Sequence, residues 1–288
     1  MSVFSLKILA MASMLCDHLG YFLGAGGYIG NGLYTVMRLF GRLAFPIFAF
    51  LIVNGWQHSR DRKAYLTRLM GFALISQLPF AVVFTAVNYS AKAGPLSLQL
   101  PGLGYILLCI ALGLLWYHFV RRDVSALLAA LLPLVGLSSL RLGGIYLLRP
   151  DMNVFYTLAI ALAAMCVLHE FWGHDARQKE SYGRALALIL ALLLVRNGTD
   201  YGLNGILLML ALWFFRENRM QQLVMLLAWA AVHYLIGGST IFFIGAASAL
   251  IPLYFYNGKA GKALKTAFYL VYPLHLSVLA LFIIWHAY

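Results

Sequence analysis

The chain has 288 residues, of which 63% are hydrophobic and only 10% are charged, and its formal net charge is +12. A soluble globular domain carries roughly a quarter charged residues, so this composition excludes one. The apolar runs are long and continuous instead of alternating, which favours helices over a β-barrel in a bilayer. We therefore predict an all-α, polytopic transmembrane helical bundle.

Ten or eleven spans are predicted in chain order, since a full crossing needs about twenty residues. The spans at 185–196, 201–215 and 222–236 are short, and the first two flank a glycine-rich stretch, so we interpret them as broken or re-entrant helices. We predict one domain over residues 1–288, without a repeat or linker. The predicted spans are 6–24, 33–55, 69–87, 101–120, 124–147, 152–171, 185–196, 201–215, 222–236, 240–256 and 266–286.

The positive charges are distributed unequally between the two sides of these spans. Fifteen of the 21 Lys and Arg residues fall on the side of the N-terminus, which predicts a cytoplasmic N-terminus and an outer C-terminus in the cell inner (plasma) membrane. This bias explains the net charge without nucleic acid as a partner. The fifteen residues are Lys7, Arg60, Arg62, Lys63, Arg68, Arg121, Arg122, Arg177, Lys179, Arg184, Arg216, Arg219, Lys259, Lys262 and Lys265.

The three cysteines indicate neither a disulfide framework nor a metal site. Cys16, Cys109 and Cys166 all lie in apolar runs, form no CxxC pair and are odd in number. We therefore expect no bound metal.

Five ionisable residues fall inside predicted spans, where a charge is costly in free energy and by default indicates a function. They are Asp17 and His18 in the first span, Arg38 and Arg42 in the second, and His275 in the last. At about 1.5 Å of rise per residue, the positions of His18, Arg42 and His275 all fall near the middle of the bilayer. We predict that these three side chains line one buried cavity.

Helical spacing limits the roles of these residues. Arg38 and Arg42 share one helix face and repel each other unless an anion lies between them, either Asp17 or an anionic ligand such as a phosphate or a developing oxyanion. Asp17 and His18 point about 100° apart around the helix, so we predict that Asp17 neutralises an arginine and does not orient His18. A neutral buried imidazole is then a good general base. The alternative is that all five residues only hold helices together.

Six segments of the chain resemble the TraX family of integral membrane proteins and occur in the order of that family. The first two are LKILAMASMLCDHLG from Leu6 and GRLAFPIFAF from Gly41. The remaining four are NVFYTLAIAL from Asn153, DYGLNGILLML from Asp200, LIPLYFYNGKAGK from Leu250 and FYLVYPLHLSVL from Phe268. Together they extend over nearly the whole chain.

The resemblance implies acetyl transfer. The family is named for an enzyme that acetylates the N-terminus of conjugative pilin, and it is distantly similar to membrane acyltransferases of bacterial surface sugars. In that wider group a first-span histidine is catalytic, acetyl-CoA enters from the cytoplasm, and the acceptor waits on the other side. The resemblance places His18 at the catalytic position. It places Asp17, Arg42, Asn153, Tyr201 and His275 on other motif positions.

We therefore expect an acetyltransferase that uses acetyl-CoA, with His18, Asp17, Arg42 and His275 as catalytic residues. Arg42, together with Arg38, is expected to stabilise the oxyanion. Residues expected to bind the donor, acetyl-CoA, are Arg38, Arg60, Arg62, Lys63 and Arg68. Residues expected to position the acceptor are Asn153, Asp200 and Tyr201.

Two other classes of function remain open at the level of the sequence. A proton-coupled transporter or flippase would use the same Asp, His and Arg residues within the membrane. A membrane scaffold would use them only to pack helices. The acceptor is also open among a protein N-terminus, an amino sugar and a sugar hydroxyl, as is the existence of a homodimer.

Overall fold

The computed structural model describes residues 1–93, 141–142, 145–146, 152–172, 199–262 and 265–287. Within these ranges the regular secondary structure is helical apart from one ribbon of two very short strands and an isolated bridge between Met152 and Thr199, which confirms the predicted all-α class. The α-helices are α1 (Val3–Ala25), α2 (Asn31–Gly41), α3 (Ala44–His58), α4 (Arg62–Ala93), α5 (Val154–Trp172), α6 (Gly202–Phe214), α7 (Arg219–Ala230), α8 (Thr240–Ala247), α9 (Leu250–Tyr254) and α10 (Lys265–Ala287). A short π-helix, Ala231–Leu235, directly follows α7.

Four segments of the described chain are long and apolar enough to cross a membrane, which supports the prediction of an integral membrane protein. Shorter apolar helices occupy Val154–Cys166, Gly202–Phe214 and Thr240–Tyr254. The predicted spans at 101–120 and 185–196, and most of the span at 124–147, lie outside the described residues. The four long segments are Val3–Ala25, Asn31–His58, Ala64–Phe84 and Ala267–Trp285.

The outward faces of the helices are apolar, as expected for contact with lipid. On α2, Leu33, Val36 and Phe40 are exposed at spacings of three and four residues, while Arg38 is turned inward. On α10, Val278 and Leu281 are about two thirds exposed, at 66% and 65%. Such apolar surfaces would be unfavourable in water but are solvated by hydrocarbon.

The predicted second and tenth spans are each interrupted by a short break. Residues 42–43 separate α2 from α3, and residues 248–249 separate α8 from α9. Pro46 and Pro252 explain both breaks, because proline cannot donate to the carbonyl four residues earlier and its ring clashes with that carbonyl. The buried hydroxyl of Ser13 donates to the carbonyls of Phe40, at 2.7 Å, and of Gly41, at 3.1 Å, beside the first break.

Contacts within the chain divide it into two compact units, and the first contains residues 1–54, 82–99 and 211–288. In this unit α1 and α2 form an antiparallel pair in which Gly20 lies against Met37. Helix α10 runs parallel to α1, because Phe4 contacts Phe268 near their starts and Phe22 contacts Phe282 near their ends. The predicted opposite sides for the two chain termini agree with this parallel arrangement.

The second unit contains residues 55–81 and 100–210, and its core is the middle of α5, where Ala159–Met165 are fully buried. Part of the predicted span 124–147 is not helical. Strands β1 (Arg141–Leu142) and β2 (Ile145–Tyr146) pair antiparallel there, with Leu142 opposite Ile145. The two intervening residues are both glycine, a sequence that favours a two-residue hairpin turn over a helix. The prediction of a single domain remains a prediction.

Candidate active site

The imidazole of His18 is buried in the first unit, where it pairs with His275. Nδ1 of His18 lies 2.7 Å from Nε2 of His275, and the two rings meet edge to edge, with centroids 5.0 Å apart and an interplanar angle of 21°. Nδ1 of His275 lies 2.8 Å from the carbonyl oxygen of Val271, one helical turn earlier. The structure thus brings together two of the predicted site residues that are 257 positions apart in sequence.

Aromatic side chains enclose this histidine pair. Phe84 and Tyr272 both contact the His18 ring edge to face, with centroids 5.6 Å and 5.9 Å away. Tyr272 also contacts His275 at 5.5 Å, because it lies three residues earlier on the same face of α10. Only 9% of His18 is exposed, so its position is fixed by packing on several sides.

Asp17 lies between the two arginines of α2, which is one of the two arrangements that the sequence left open. Nη2 of Arg42 donates to both carboxylate oxygens, at 2.5 Å and 2.6 Å, and Nη1 of Arg38 donates to Oδ2 at 2.9 Å. Asp17 therefore faces α2 while His18 faces α10, as their angular separation on α1 predicts. The prediction that Asp17 neutralises an arginine is confirmed.

The Asp17–Arg38–Arg42 cluster carries more positive than negative charge. One carboxylate faces two guanidinium groups, and the three side chains are only 12%, 15% and 11% exposed. Nε of Arg38 is buried and has no hydrogen-bond partner among the described residues. Both guanidinium groups bind Asp17, the residue that directly precedes His18 on α1. This cluster can therefore stabilise a further negative charge beside His18.

Aromatic rings and glycines fix the position of the arginines. The Arg38 guanidinium lies over the ring of Tyr21 at 4.9 Å, and that of Arg42 lies over Phe242 at 5.3 Å. A methyl group at Gly41 would overlap the Asp17 carboxylate, and one at Gly245 would come within 2.9 Å of Cβ of Arg42. Glycine is required at both positions because the helices approach so closely.

The position of His18 along α1 is close to the predicted one, and its depth in the bilayer stays a prediction. Helix α1 begins at Val3, because Ser2 caps it and accepts a hydrogen bond from the Ser5 amide. His18 consequently lies about 22 Å from the start of α1 and about 10 Å from its end, in the last third of the helix. His275 lies near the middle of α10, about 15 Å from its start.

The three residues predicted to position the acceptor are close together in the second unit. The backbone amide of Asp200 donates to the carbonyl of Met152, next to Asn153, and the Thr157 hydroxyl donates to the carbonyl of Asp200. The side chain of Asp200 is exposed, and that of Tyr201 is half-buried. Tyr201 has φ 63°, a left-handed conformation that is rare outside glycine and that marks strained, often functional, positions.

Asn153 has a structural role that the sequence prediction missed. It is fully buried, and its amide nitrogen donates to the Ala73 carbonyl and to Oε1 of Gln77, both at 2.8 Å. Its side-chain oxygen accepts from the Phe155 amide at 3.0 Å, which caps the start of α5. Because these groups are already engaged within the protein, we withdraw the acceptor-binding role of Asn153.

The basic residues predicted to bind the donor surround the start of α4 in the second unit. Asp61 caps this helix by accepting from the Ala64 amide at 2.8 Å. Arg60 and Arg68 are exposed, whereas the Arg62 guanidinium lies over the ring of Trp56 at 4.0 Å. The side chain of Lys63 lies outside the described part of the structure. Arg38, which was also predicted to bind the donor, belongs instead to the Asp17 cluster of the first unit.

Several residues of the site were missed in the sequence, namely Tyr21, Phe84, Phe242 and Tyr272, with the carbonyl of Val271. Apolar aromatic residues are common in membrane spans, so the first three gave no distinguishing signal. Tyr272 and Val271 lie three and four residues before His275, the spacing at which helical residues meet, and this signal was available.

These observations define a polytopic helical membrane protein with a buried site of two histidines and an Arg–Asp–Arg cluster. The family model described as TraX protein matches residues 2–140 and 145–283, and the chain therefore belongs to the TraX family. It is also similar to a protein of Dichelobacter nodosus described as probable fimbrial assembly protein FimC, serogroup H1. The two are 27% identical over 292 residues, which cover 96% of this chain and 94% of that protein. No solved structure matches the chain.

Proposed function

We propose that this protein transfers an acetyl group from cytoplasmic acetyl-CoA to an amine or hydroxyl on the outer face of the inner membrane. The observation that carries the proposal is the buried His18 imidazole, held through one ring nitrogen and directly following Asp17, the carboxylate of a cluster with excess positive charge. A base beside a preorganised cationic group is what acyl transfer through a tetrahedral oxyanion requires.

In the proposed reaction the acceptor nitrogen or oxygen attacks the thioester carbonyl carbon of acetyl-CoA. His18 takes the proton that the acceptor loses, and Arg42 and Arg38 stabilise the negative charge that develops on the carbonyl oxygen. The carbon–sulfur bond then breaks, and the leaving thiolate takes the proton back from His18. The products are the acetylated acceptor and free CoA thiol, and His18 returns to its neutral state.

Charged groups outside the buried site support roles for the two substrates. Arg60, Arg62 and Arg68 are proposed to attract the CoA phosphates from the cytoplasm. The exposed carboxylate of Asp200 and the strained Tyr201 are proposed to position the acceptor, since a carboxylate attracts a cationic amine.

The relative from Dichelobacter nodosus is named for fimbrial assembly, which favours an acceptor in a surface fibre. We propose a role in the assembly or modification of pilin or fimbrial subunits as the coarser function. Within it, a protein N-terminus, an amino sugar and a sugar hydroxyl remain the three acceptor chemistries to test.

The deciding experiment uses the full chain, purified in detergent or nanodiscs, with acetyl-CoA labelled in the acetyl group. We expect the amount of CoA thiol released to match the amount of labelled acetyl group found on an added amine or hydroxyl acceptor. A transporter or flippase would bind or move its solute without releasing thiol. If no panel of peptide, amino sugar and sugar acceptors gives thiol release above the protein-free control, the transferase proposal is wrong.

A second expectation concerns the orientation in the membrane. Because α10 runs parallel to α1, the two ends of the chain are expected on opposite faces, with the N-terminus in the cytoplasm. Alkaline phosphatase fused after Tyr288 should be active, whereas a green fluorescent protein at the same position should not fluoresce. The reverse pattern would contradict an outer C-terminus.

A further inference from the structure

The hydrogen bonds around His275 determine which ring nitrogens carry protons. The carbonyl oxygen of Val271 can only accept, so Nδ1 of His275 must carry the hydrogen that lies between them. In a neutral imidazole the other nitrogen is then an acceptor. Nε2 of His275 therefore accepts from His18, and Nδ1 of His18 must be the donor across their 2.7 Å contact.

When both rings are neutral, these hydrogen bonds also determine the state of the last ring nitrogen of the pair, Nε2 of His18. Nε2 of His18 carries no hydrogen and presents a lone pair. We propose that His275 is a positioning residue that holds His18 as its Nδ1–H tautomer, so that Nε2 of His18 is the atom that takes the acceptor's proton. This inference rests on the proposed acetyl transfer and deepens it.

The arrangement uses a neutral group where hydrolase triads use a carboxylate. The adjacent carboxylate, Asp17, is held by both arginines and faces away from His18. His275 takes its place as the acceptor for Nδ1–H, and the Val271 carbonyl fixes His275 in turn. When Nε2 of His18 gains a proton, the hydrogen bond to His275 spreads the positive charge over both rings.

Packing supports the same orientation of the rings. A half turn of the His18 ring would replace Nδ1 by a carbon and break the bond to His275. The rings of Phe84 and Tyr272 pack against His18, with His275 at its Nδ1 edge, and oppose this rotation. The free nitrogen is thus defined by hydrogen bonds and by shape together.

Two substitutions at His275 separate the acceptor function from the packing of the ring. Gln places an oxygen acceptor close to the position of Nε2, whereas Phe keeps an aromatic ring without an acceptor. We expect His275→Phe to lower kcat by about 10- to 100-fold with KM nearly unchanged, since the orienting partner of a histidine typically contributes on this order. His275→Gln is expected to retain most of the activity.

Nitrogen NMR of the wild-type protein labelled with ¹⁵N-histidine tests the tautomers and needs neither acetyl-CoA nor a substrate that receives the acetyl group. We expect the unprotonated type of signal for Nε2 of His18, assigned by its loss in His18→Gln, and for Nε2 of His275. In His275→Phe the signals of His18 should become a mixture of tautomers. Protonated Nε2 in wild-type His18, or equal activity of the Phe and Gln variants, would overturn the inference. Acetyl transfer itself would stand in either case, whereas lack of thiol release in the wild type would remove the proposed function first.

Discussion

Replacing His18 by alanine is expected to slow acetyl transfer by about 10²- to 10⁴-fold, the usual effect of removing a positioned general base. The acceptor must lose a proton as it attacks the thioester, and His18 carries the free nitrogen proposed to take it. Alanine is the best helix former, so the backbone of α1 should be unaffected. The measurement is CoA thiol release by the purified variant, with size-exclusion profile and melting temperature recorded on the same preparation.

A matched control for this experiment is His58→Ala, which removes an exposed imidazole at the end of α3. Its rate should stay close to that of the wild type. Thiol release at the wild-type rate by well-folded His18→Ala would remove His18 from the mechanism, and the base would then be sought at His275. If the protein were only a scaffold, His18→Ala would impair folding, and the wild-type protein would release no CoA thiol.

Asp17→Ala is expected to destabilise the protein strongly, by about 3–5 kcal/mol, as when one partner of a buried ion pair is removed. Asp17 is the carboxylate held by both Arg38 and Arg42, so its loss leaves two buried cations one helical turn apart. Asp17→Asn retains an oxygen acceptor of the same shape and should lose less. Thermal unfolding in detergent and the yield of monodisperse protein measure the difference.

The comparison for this prediction is an exposed ion pair on the same chain. Glu217, whose side chain is 83% exposed, lies 3.4 Å from Arg216. Glu217→Ala should leave the melting temperature almost unchanged, because exposed pairs contribute little to stability. Equal melting of Asp17→Ala and Glu217→Ala would show that the Asp17 cluster is not needed for folding.

The helices and the buried charges could be predicted because the signals are local. An interrupted apolar run gave α1 with Asp17 and His18, and helical spacing gave the shared face of Arg38 and Arg42. The angle between neighbouring residues on α1 also predicted that Asp17 and His18 have different partners. None of these inferences required knowledge of distant contacts.

The rest of the site depends on tertiary contacts or on local sequence features other than hydrophobicity and helical spacing. The hydrogen bond between His18 and His275 could not be predicted, because common depth in a bilayer does not specify which helix faces touch. The breaks beside Pro46 and Pro252 could not be predicted from proline alone, because Pro79 and Pro273 lie inside the continuous helices α4 and α10. Asn153 preceding an apolar helix is a typical cap sequence, and its role in acceptor binding was inferred instead from its predicted place at the outer mouth of the protein.

The close packing at Gly41 and Gly245 has a consequence for the energetics of the proposed reaction. The end of α2 that carries the arginines packs closely against both α1 and α8. The positive charges of these arginines are therefore oriented before any substrate arrives. In water, solvent molecules must rotate to meet a developing oxyanion, and this rotation is a large part of the barrier. A rigid array of charges avoids that reorganisation, which allows even a thinly hydrated interior to stabilise a transient anion.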